Sequence, residues 1–488
     1  MFDIAIIGGG VTGCAIARWL SKYELKTILI EKHEDVASET SKANSAIIHA
    51  GYDAPEGTLR SKMNVKGNPM FDQAQKELCF EFKRVGSFVV GFNDDDMKVL
   101  HKEKAQADKF KIPAEVITDI KRIKTMEPNI SDKVIGVFYA PTAGIVWPFG
   151  LTIALAENAH NNGVKFLFSS PVTDIQRNEH GFIIQAGKNQ VETQVIINAA
   201  GVFADEIANM AGAAEFTIAP RKGEYILMDR NVVPINHILF PTPTPISKGI
   251  LVCPTVEGHT FIGPNAQDID NKEDLSTSSA GLNEIIVGGR KLLPSIPIRL
   301  AITNFAGIRA ISNKNGEFVI GQSKVDGFIN AAGICSPGLS SCLAVAEYIT
   351  ETVKQYTSLR LEEKANWNPI RLPQKRLSEM NEDELSNAIK KRPQWGRVIC
   401  RCETVTEAEI VDAIHRPIGA HSMDMIKKRL RPGMGRCQGG FCTPKILKIL
   451  SREMDLPVTK IMKNDTGSPM VIGRLKQLES LPWKGDRP

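Results

Sequence analysis

The sequence predicts an α/β fold in three parts: a discontinuous parallel sheet with helices, a β-sheet domain, and a small helical C-terminal module. Three observations predict it. A buried strand, a glycine-rich turn, a helix and a second buried strand follow one another within residues 1–31. Apolar strands return near residues 195 and 328, so distant segments build the first sheet. Four of the nine cysteines cluster after residue 399, beyond a charged segment punctuated by prolines.

The pattern of apolar residues places the elements along the chain. Short apolar runs bounded by turn residues predict strands, and apolar residues at helical spacing predict helices. Residues 40–70 are rich in small and polar groups, which predicts a long loop entering a helix. The predicted strands are residues 2–7, 27–30 and 328–332, with a three-strand meander over 172–199; the predicted helices are residues 11–23, 282–293, 338–353 and 381–391.

The composition is that of an ordinary globular protein and excludes several classes. The chain has 488 residues, which suggests about three domains. The formal net charge of +5 is too small to indicate nucleic-acid binding. No apolar run is long enough to cross a bilayer, and the N-terminus lacks the basic region of a signal peptide. We therefore expect a cytoplasmic protein without a transmembrane segment, and peripheral contact with a membrane stays open.

The first strand–turn–helix unit carries the pattern Gly8-x-Gly10-x-x-Gly13. Its glycines permit a tight turn, a close approach of the backbone to a pyrophosphate, and close packing of the helix on the strand. Glu31 ends the next strand, where a carboxylate would bind a ribose hydroxyl. A glycine turn without a ligand is the alternative. The complete strand–helix–strand context favours a dinucleotide site, with Thr12 in the same turn.

The two returning strands end in small residues that leave room for a cofactor. They read VIINAAG at residues 195–201 and FINAAG at residues 328–333. A discontinuous sheet of this kind resembles the glutathione-reductase-like FAD-binding fold more than a simple NAD dehydrogenase. The resemblance implies that FAD is the cofactor and that Ala200, Gly201 and Gly333 lie beside it.

Five further segments carry a closer resemblance: SETSKANSAIIHAG (38–51), RKGEY (221–225), KGILVCP (248–254) with GPN (263–265), FAGIR (305–309) and SPGL (336–339). They resemble the FAD-dependent oxidoreductases of the D-amino-acid-oxidase superfamily, above all the bacterial glycerol-3-phosphate oxidases and dehydrogenases. L-2-hydroxyglutarate oxidases are near relatives. The resemblance covers residues 1–370 and implies these boundaries: FAD-binding domain, about 1–84, 146–215 and 305–353; substrate domain, about 85–145 and 216–304. The charged, proline-punctuated composition that follows predicts a linker at 371–397.

The resemblance places the catalytic histidine at His49. A neutral imidazole with a pKa near the ambient pH can accept a hydroxyl proton while hydride leaves the same carbon for the flavin. Two alternatives stay open. The histidine could only orient the isoalloxazine ring, or it could carry a covalent flavin bond, since dimethylglycine-dehydrogenase relatives have a similar His-Ala motif.

Two basic residues in these segments, Arg309 and Lys248, are the candidate clamps for an anionic substrate. Arginine offers two parallel donors and lysine a point charge. A surface ion pair is the alternative for either. The SPGL segment opens the last helix of the FAD-binding domain, whose positive end would face the flavin. The implied FAD contacts in these segments are Ser41, Asn44, Ser45, Ser336, Gly338 and Leu339.

Cys400-x-Cys402 and Cys437-x4-Cys442 are separated by 34 residues. Four thiolates on two loops at helix ends can ligate two irons. Zinc is the alternative, although zinc ribbons prefer CxxC pairs. The sequence RPGMGRCQGGFC around the second pair resembles the bacterioferritin-associated-ferredoxin type of [2Fe-2S] domain, which would span residues 398–454.

Start signals mark the helices of this module. Thr406 and Glu409 form a capping box, and Ser422 is placed to cap the next helix. Thr443 is the predicted N-cap of the last helix, with Pro444 in its first position. Residues 455–488 are predicted to be a C-terminal tail.

Together these observations predict an FAD-dependent dehydrogenase that oxidises sn-glycerol 3-phosphate to dihydroxyacetone phosphate. The oxidases that the chain resembles end near residue 370 and return electrons to oxygen, so the added cluster suggests another acceptor. The alternative substrates are L-2-hydroxyglutarate, another 2-hydroxy acid, or a secondary amine. An electron-transfer subunit without a substrate and a zinc-stabilised binding module are the non-enzyme alternatives. The expected partners are a phosphorylated or carboxylated small molecule and a second flavoprotein or electron-acceptor subunit.

Overall fold

The chain folds into two units, which are described separately. The computed structural model describes residues 1–243 and 249–473. The first unit spans Met1–Pro373, and the second begins at Gln374. In the part of the chain that is described, no helix has both the length and the apolar character needed to span a membrane.

The first unit mixes strands and helices along its whole length. Its strands are β1 (Phe2–Ile7), β2 (Thr27–Ile30), β3 (Ile47–Ile48), β4 (Phe82–Arg84), β5 (Ser87–Gly91), β6 (Glu115–Ile117), β7 (Gly136–Ala140), β8 (Gly144–Val146), β9 (Lys165–Leu167), β10 (Val172–Asn178), β11 (Gly181–Ala186), β12 (Asn189–Asn198), β13 (Ile218–Met228), β14 (Ile238–Pro241), β15 (Leu251–Pro254), β16 (Thr260–Gly263), β17 (Gln267–Asp268), β18 (Ala301–Ser312), β19 (Val319–Gln322) and β20 (Phe328–Ala332). Its helices are α1 (Val11–Leu20), α2 (Leu59–Leu78), α3 (Asp94–Lys109), α4 (Ile120–Met126), α5 (Pro148–Asn161), α6 (Ala204–Met210), α7 (Ser279–Leu292) and α8 (Gly338–Tyr356).

The first sheet is built around β1. This strand pairs in parallel with β2 on one side and β12 on the other. Strand β9 extends the parallel order beyond β2, and β20 extends it beyond β12. Strands covered on both faces read as continuous apolar runs, and Ile4, Ala5 and Ile6 of β1 are fully buried. The predicted meander is present as β10, β11 and β12, joined by antiparallel pairing.

The second sheet is mostly antiparallel and contains β5, β6, β7 and β13 to β18. Its longest pair is β13 with β18, which runs from Ile218 opposite Ser312 to Met228 opposite Ala301. This pairing corrects one predicted boundary. The sequence places the segment from residue 305 in the FAD-binding domain, but β18 belongs to the second sheet. The chain returns to the first sheet only at β19, because β18 finds its hydrogen-bond partners along β13.

The second unit is a small helical module with one short hairpin. Its strands are β21 (Val398–Cys400) and β22 (Val405–Thr406), and its helices are α9 (Glu382–Lys391), α10 (Glu407–Ile414), α11 (Met423–Leu430) and α12 (Thr443–Glu453). Ile410, Ile426 and Leu450 form its fully buried centre. The module therefore has its own hydrophobic core.

The segment predicted as a linker, residues 371–397, is folded. From Gln374 onward it belongs to the second unit. Trp395 is buried, and Arg392 Nη1 donates to Asp412 Oδ1 at 2.5 Å. Its charged composition indicated a connector, but five of the eleven charged residues lie on α9, where their side chains are exposed.

The predicted tail is also partly folded. Ile461 is 1% exposed, and Met470 packs against the same hydrophobic core. A bridge between Met462 and Pro469 closes a small turn. Residues 474–488 lie outside the described residues.

Two of the three predicted caps are present in this module. Thr406 Oγ1 accepts from Glu409 N at 3.3 Å, and Ser422 Oγ accepts from Met425 N at 3.4 Å. Thr443, by contrast, is the first residue of α12, and the N-cap is Cys442 without a side-chain capping bond. Proline suits the first turn of a helix because N–H groups in that turn have no acceptor within the helix, so the absence of one costs no hydrogen bond.

Candidate active site and cysteine site

The glycine turn lies at the carboxyl end of β1, where the sequence predicts it. Gly8 has a φ of +114°, and a Cβ there would lie 2.3 Å from the Ala199 carbonyl oxygen. A Cβ at Gly13 would lie 2.0 Å from the Gly8 oxygen. Only glycine fits both positions, so the turn packs directly against the end of β12. Gly13 serves this packing, whereas Gly8 and Gly10 line a cavity.

Glu31 holds the same turn from the neighbouring strand. Its Oε2 accepts from Gly9 N at 2.5 Å, and its Oε1 accepts from His33 N at 3.0 Å. Burial raises the pKa of this carboxyl, while the two backbone N–H groups oppose that rise. Glu31 therefore fixes the glycine turn and also faces the cavity beside it.

Three adjoining cavities form one groove across the first unit. The first is lined by the glycine turn and Glu31. It shares Gly10, Ser41 and Gly201 with the second, which also contains Thr12, Asn44 and the start of α8. The second and third cavities share these residues: Ser45, His49, Arg309, Cys335 and Ser336.

The loop before β3 forms one wall of the second cavity. Ser41 Oγ accepts from Val11 N, in the first turn of α1, at 2.9 Å. Asn44 Nδ2 donates to Ser41 O at 3.0 Å. Ser45 Oγ lies 3.4 Å from the Tyr225 hydroxyl. These contacts fix the loop, so the predicted residues of this segment lie along one groove.

His49 follows β3 and is held through its backbone. Its N–H donates to Ser340 Oγ at 2.7 Å, and its carbonyl oxygen accepts from Asn68 Nδ2 at 2.9 Å. Helices α8 and α2 supply these two partners. The imidazole lies 5.7 Å from the Phe240 ring, centroid to centroid, and lines both the second and the third cavity.

Arg309 lies on β18 and faces the same space. Its Nη2 donates to the Asn265 carbonyl oxygen at 2.8 Å. Its guanidinium also bonds the Tyr225 hydroxyl. The Tyr225 ring is stacked on Phe305 at 4.7 Å, and burial raises the pKa of its phenol. Sequence reasoning missed Tyr225, although it lies within the quoted RKGEY segment.

The third cavity contains two further arginines that the sequence did not single out. Arg221 lies opposite Arg309 across the β13–β18 pair and bonds Asp268 at 2.6 Å. Arg60 opens α2, and its backbone N–H donates to Glu317. No acidic residue occurs among the described residues that line this cavity.

The remaining predicted residues divide between the groove and its surroundings. Ser336, Gly338 and Leu339 line the second cavity, where α8 begins without a side-chain cap. Ala200 and Gly201 line the first. Gly333 lies outside the residues that line these cavities and forms a turn with φ of +63°. Lys248 lies outside the described residues.

The four cysteines of the second unit meet as two pairs. Cys400 lies beside Cys442, and Cys402 beside Cys437, each pair sharing a hydrogen bond between thiols. Among the described residues, no three or more His, Cys, Asp or Glu side chains are grouped to hold one metal ion. A [2Fe-2S] cluster binds two thiolates at each of its two irons, whereas a zinc ion binds all four at one centre. Cysteines arranged in two pairs therefore suit a [2Fe-2S] cluster better than a single zinc ion.

Backbone N–H groups surround these sulfurs. The Cys442 thiol lowers the pKa of Cys400, and the Phe441 N–H lowers the pKa of Cys437. Such N–H groups favour thiolates and compensate the negative charge of a cluster. The backbone donors are Glu403 and Gly433 to Cys400, Cys437 to Cys402, and Gly439 and Phe441 to Cys437.

Comparison with known families decides the class of both units. The family described as "FAD dependent oxidoreductase" (DAO) matches residues 3–352. The chain belongs to this family. The BFD-like [2Fe-2S] binding domain matches residues 398–452 of the same oxidoreductase. The enzyme therefore carries FAD in its first unit and a [2Fe-2S] cluster in its second.

Individual relatives of the oxidoreductase agree. It is 47% identical to the glycerol 3-phosphate dehydrogenase of Caloramator mitchellensis, over 98% of this chain and 99% of that protein. It is 25% identical to one of the subunits of the anaerobic glycerol-3-phosphate dehydrogenase of Escherichia coli K12, over 100% of this chain and 93% of that protein. The oxidoreductase is thus a homologue of glycerol-3-phosphate dehydrogenases.

A solved structure supports the fold of the first unit. Dithionite-reduced L-α-glycerophosphate oxidase from Mycoplasma pneumoniae, with FAD bound, superposes on the oxidoreductase with a TM-score of 0.72 and 29% identity. The match covers 76% of this chain and 99% of that one. The oxidase therefore accounts for about three quarters of the length of the oxidoreductase.

Proposed function

We propose that this enzyme oxidises sn-glycerol 3-phosphate to dihydroxyacetone phosphate and passes the electrons to an acceptor other than oxygen. The third cavity is the observation that carries the substrate assignment. It joins His49 to three arginines, with no acidic residue among its described lining residues. A phosphate monoester with a secondary hydroxyl needs both a base and a cationic clamp.

His49 is the proposed base. FAD, when bound, supplies the centre that accepts hydride from the substrate carbon. The imidazole then takes the proton of the substrate hydroxyl, at whichever ring nitrogen faces the cavity. Its backbone bonds to Ser340 and Asn68 hold the ring at the junction of two cavities. Phe240 packs beside the ring, 5.7 Å from centroid to centroid.

Arg309 is the proposed phosphate clamp. One of its N–H groups is committed to the Asn265 carbonyl at 2.8 Å, which fixes the orientation of the guanidinium. The bond to the Tyr225 hydroxyl adds to this restraint, so little side-chain freedom is lost when the guanidinium binds an anion. We assign Lys248 as a second cation, since it directly precedes Gly249, which lines the third cavity.

The cysteine pairs are the proposed ligands of the one-electron outlet. Two electrons leave the substrate together, whereas a [2Fe-2S] cluster transfers one at a time. This difference is the reason to expect an acceptor other than oxygen. The related Escherichia coli protein is named as one subunit of an anaerobic dehydrogenase. We therefore expect a separate protein to receive the electrons.

Anaerobic reduction of the bound flavin tests the substrate. Purified holoenzyme is mixed with sn-glycerol 3-phosphate, L-2-hydroxyglutarate or proline, and the loss of flavin absorbance is followed. Of the three compounds, we expect only glycerol 3-phosphate to bleach the flavin rapidly. Arg309→Lys should raise the concentration needed for half-maximal rate by about 10- to 100-fold, because it loses the paired donors. Arg122→Lys, on the exposed helix α4, is the matched control. Bleaching by 2-hydroxyglutarate and not by glycerol 3-phosphate would overturn the assignment.

A further inference from the structure

An exposed aromatic ring stands directly beside the cysteine site. Phe441 immediately precedes Cys442 and has 81% of its surface exposed. Its backbone N–H points at the Cys437 sulfur, so the residue lies against a cluster ligand. Exposed aromatic residues of this kind are typical anchors of protein interfaces, where the ring becomes buried on binding.

Basic side chains occupy the same part of the module. Arg401 lies between the ligands Cys400 and Cys402, and Arg436 precedes the ligand Cys437. Lys445 and Lys448 lie on α12, and all four basic residues are exposed. We name these four residues and Phe441 the basic face. The spacing of Lys445 and Lys448 places them on one side of the helix.

Negative charge is scarce around the basic face. No Asp or Glu occurs between Arg431 and Arg452 in the sequence. Glu403 directly follows the ligand Cys402 in the sequence, and its side chain is 1% exposed. It bonds Arg431 Nε at 2.8 Å. The exposed charges beside the cluster are therefore positive.

We propose that the basic face is the docking surface for an acidic one-electron carrier protein. The inference rests on the proposed function, because that function requires electrons to leave through the cluster. In each transfer the reduced cluster loses one electron and the carrier's redox centre gains it, with no bond made and no proton moved. Complementary charge steers such encounters, and the Phe441 ring becomes buried in the contact.

The chemistry of the face favours a protein over a lipid surface. Stable binding to a membrane needs a sizeable apolar area in addition to positive charge. Phe441 is the one large apolar side chain in the basic face as defined. An electron outlet also needs a redox partner at contact distance, and a carrier protein brings one to the cluster.

Two haem proteins of opposite charge provide the probe. Full-length holoenzyme is reduced with dithionite, freed of excess reductant without oxygen, and mixed with acidic cytochrome b5 or basic cytochrome c. We expect the rate of cytochrome b5 reduction to fall about tenfold or more as ionic strength rises from about 0.02 to 0.5 M. Cytochrome c reduction should not fall. Because dithionite supplies the electrons, failure of glycerol 3-phosphate to reduce the flavin leaves this test intact.

Charge reversal identifies the surface. The double variant Lys445→Glu/Lys448→Glu should slow cytochrome b5 reduction about tenfold and weaken its binding by calorimetry by a similar factor. The control is Lys390→Glu/Lys391→Glu on α9, which makes the same change of charge. Phe441→Ala should weaken binding while the visible spectrum of the cluster is retained. Equal effects of both double variants would overturn the proposal. Cytochrome b5 binding that does not depend on salt would also overturn it. The same holds if Lys445→Glu/Lys448→Glu loses co-sedimentation with phosphatidylserine vesicles but still binds cytochrome b5 normally.

Discussion

Single residues in the groove are positioned mainly by backbone contacts from other elements. His49 depends on Ser340 and Asn68, and Arg309 depends on Asn265. None of these partners is a neighbour in sequence. The proposed roles of His49 and Arg309 therefore rely on residues that are not themselves proposed to react.

Replacing His49 tests its role as the base. His49→Asn should slow anaerobic reduction of the flavin by ~10²- to 10⁴-fold, the usual effect of losing a general base. FAD content should be unchanged, because the backbone bonds of residue 49 remain. Stopped-flow absorbance measures the rate, and His101→Asn on α3 is the control. Full-rate reduction by His49→Asn would remove the assignment. Yellow colour that persists in acid-precipitated wild-type protein would instead indicate a covalent flavin bond.

The sequence predicted the residues of this site that lie in local motifs. The glycine turn, the His49 loop and the start of α8 are each recognisable from neighbours in the chain. Tyr225 and Arg221 were missed although they lie in the quoted RKGEY segment, and Arg60 was missed because nothing local distinguishes it. They reach the groove through the pairing of β13 with β18 and the packing of α2, which join residues far apart in sequence.

At the level of elements, the loop between β2 and β3 is held by charge. Glu39 lies beside the side chains of Lys32 and His33, at 3.0 and 2.7 Å. Burial alone would raise the pKa of Glu39, but these two partners outweigh it and lower the pKa to about 2. The ionised carboxylate therefore stabilises this loop.

This loop gives the protein a specific acid sensitivity. Because the folded-state pKa of Glu39 lies below the unfolded value, its contribution is present above about pH 4.5 and is lost as the pH falls towards 2. Glu39→Gln should therefore lower the melting temperature at pH 6. The drop in melting temperature between pH 4.5 and 3 should be smaller in this variant than in the wild-type protein. Thermal unfolding followed by circular dichroism measures both. Glu179→Gln, in an exposed hairpin turn, is the control; the same acid profile in both variants would contradict the prediction.

Helices α2 and α8 approach each other at a glycine. A Cβ at Gly67 would lie 2.3 Å from the Ser340 carbonyl oxygen. Gly67→Ala should therefore destabilise the protein by about 1–3 kcal/mol, the usual cost of overpacking, instead of gaining helix propensity. It should also weaken FAD retention, because Ser340 holds His49. Denaturant unfolding and FAD release measure these effects. At Gly396 the nearest atoms would be 3.6 Å away, so Gly396→Ala should leave both unchanged.

Elements were predicted well where the signal is local. Strands β1, β2 and β20 and the capping box of α10 match the sequence pattern, since each depends on its own residues. The segment at residues 374–397 was mistaken for a linker because charge dominates its composition. Its helix was nevertheless predicted, at residues 381–391, and is present as α9. The burial of Trp395 and the Arg392–Asp412 pair, both tertiary features, show that the segment packs within the second unit.

At the scale of the whole molecule, the second unit adds a [2Fe-2S] cluster, the proposed electron outlet, to an oxidoreductase fold. Its cysteines are arranged as two pairs, which fits two irons. Protein purified without oxygen should contain about two irons per chain and no zinc, with a low-temperature EPR signal after dithionite reduction. One zinc per chain without iron or an EPR signal would make the module a structural zinc site.

Replacing one ligand separates the two halves of the reaction. Cys437→Ser should lose the cluster and loosen its module, while substrate still reduces the flavin at the wild-type rate. The residues that line the proposed catalytic groove all belong to the first unit, which explains the second expectation. Transfer to a one-electron acceptor should fall to the background rate. Cys79→Ser, at an exposed cysteine outside the module, is the control; loss of flavin reduction in Cys437→Ser would contradict the separation.

The central position of β1 also determines how late in synthesis the first sheet can be completed. Ile4 pairs with Val195, and Ile196 pairs with Phe328, so the first sheet joins segments that leave the ribosome at very different times. At ~5–20 residues per second, β1 waits roughly 10–40 s for its β12 partner. During that interval one edge of β1 lacks its native partner, so the nascent chain exposes an apolar strand edge that is prone to aggregation. The second unit contains its own core within one continuous segment, so it has no such delay.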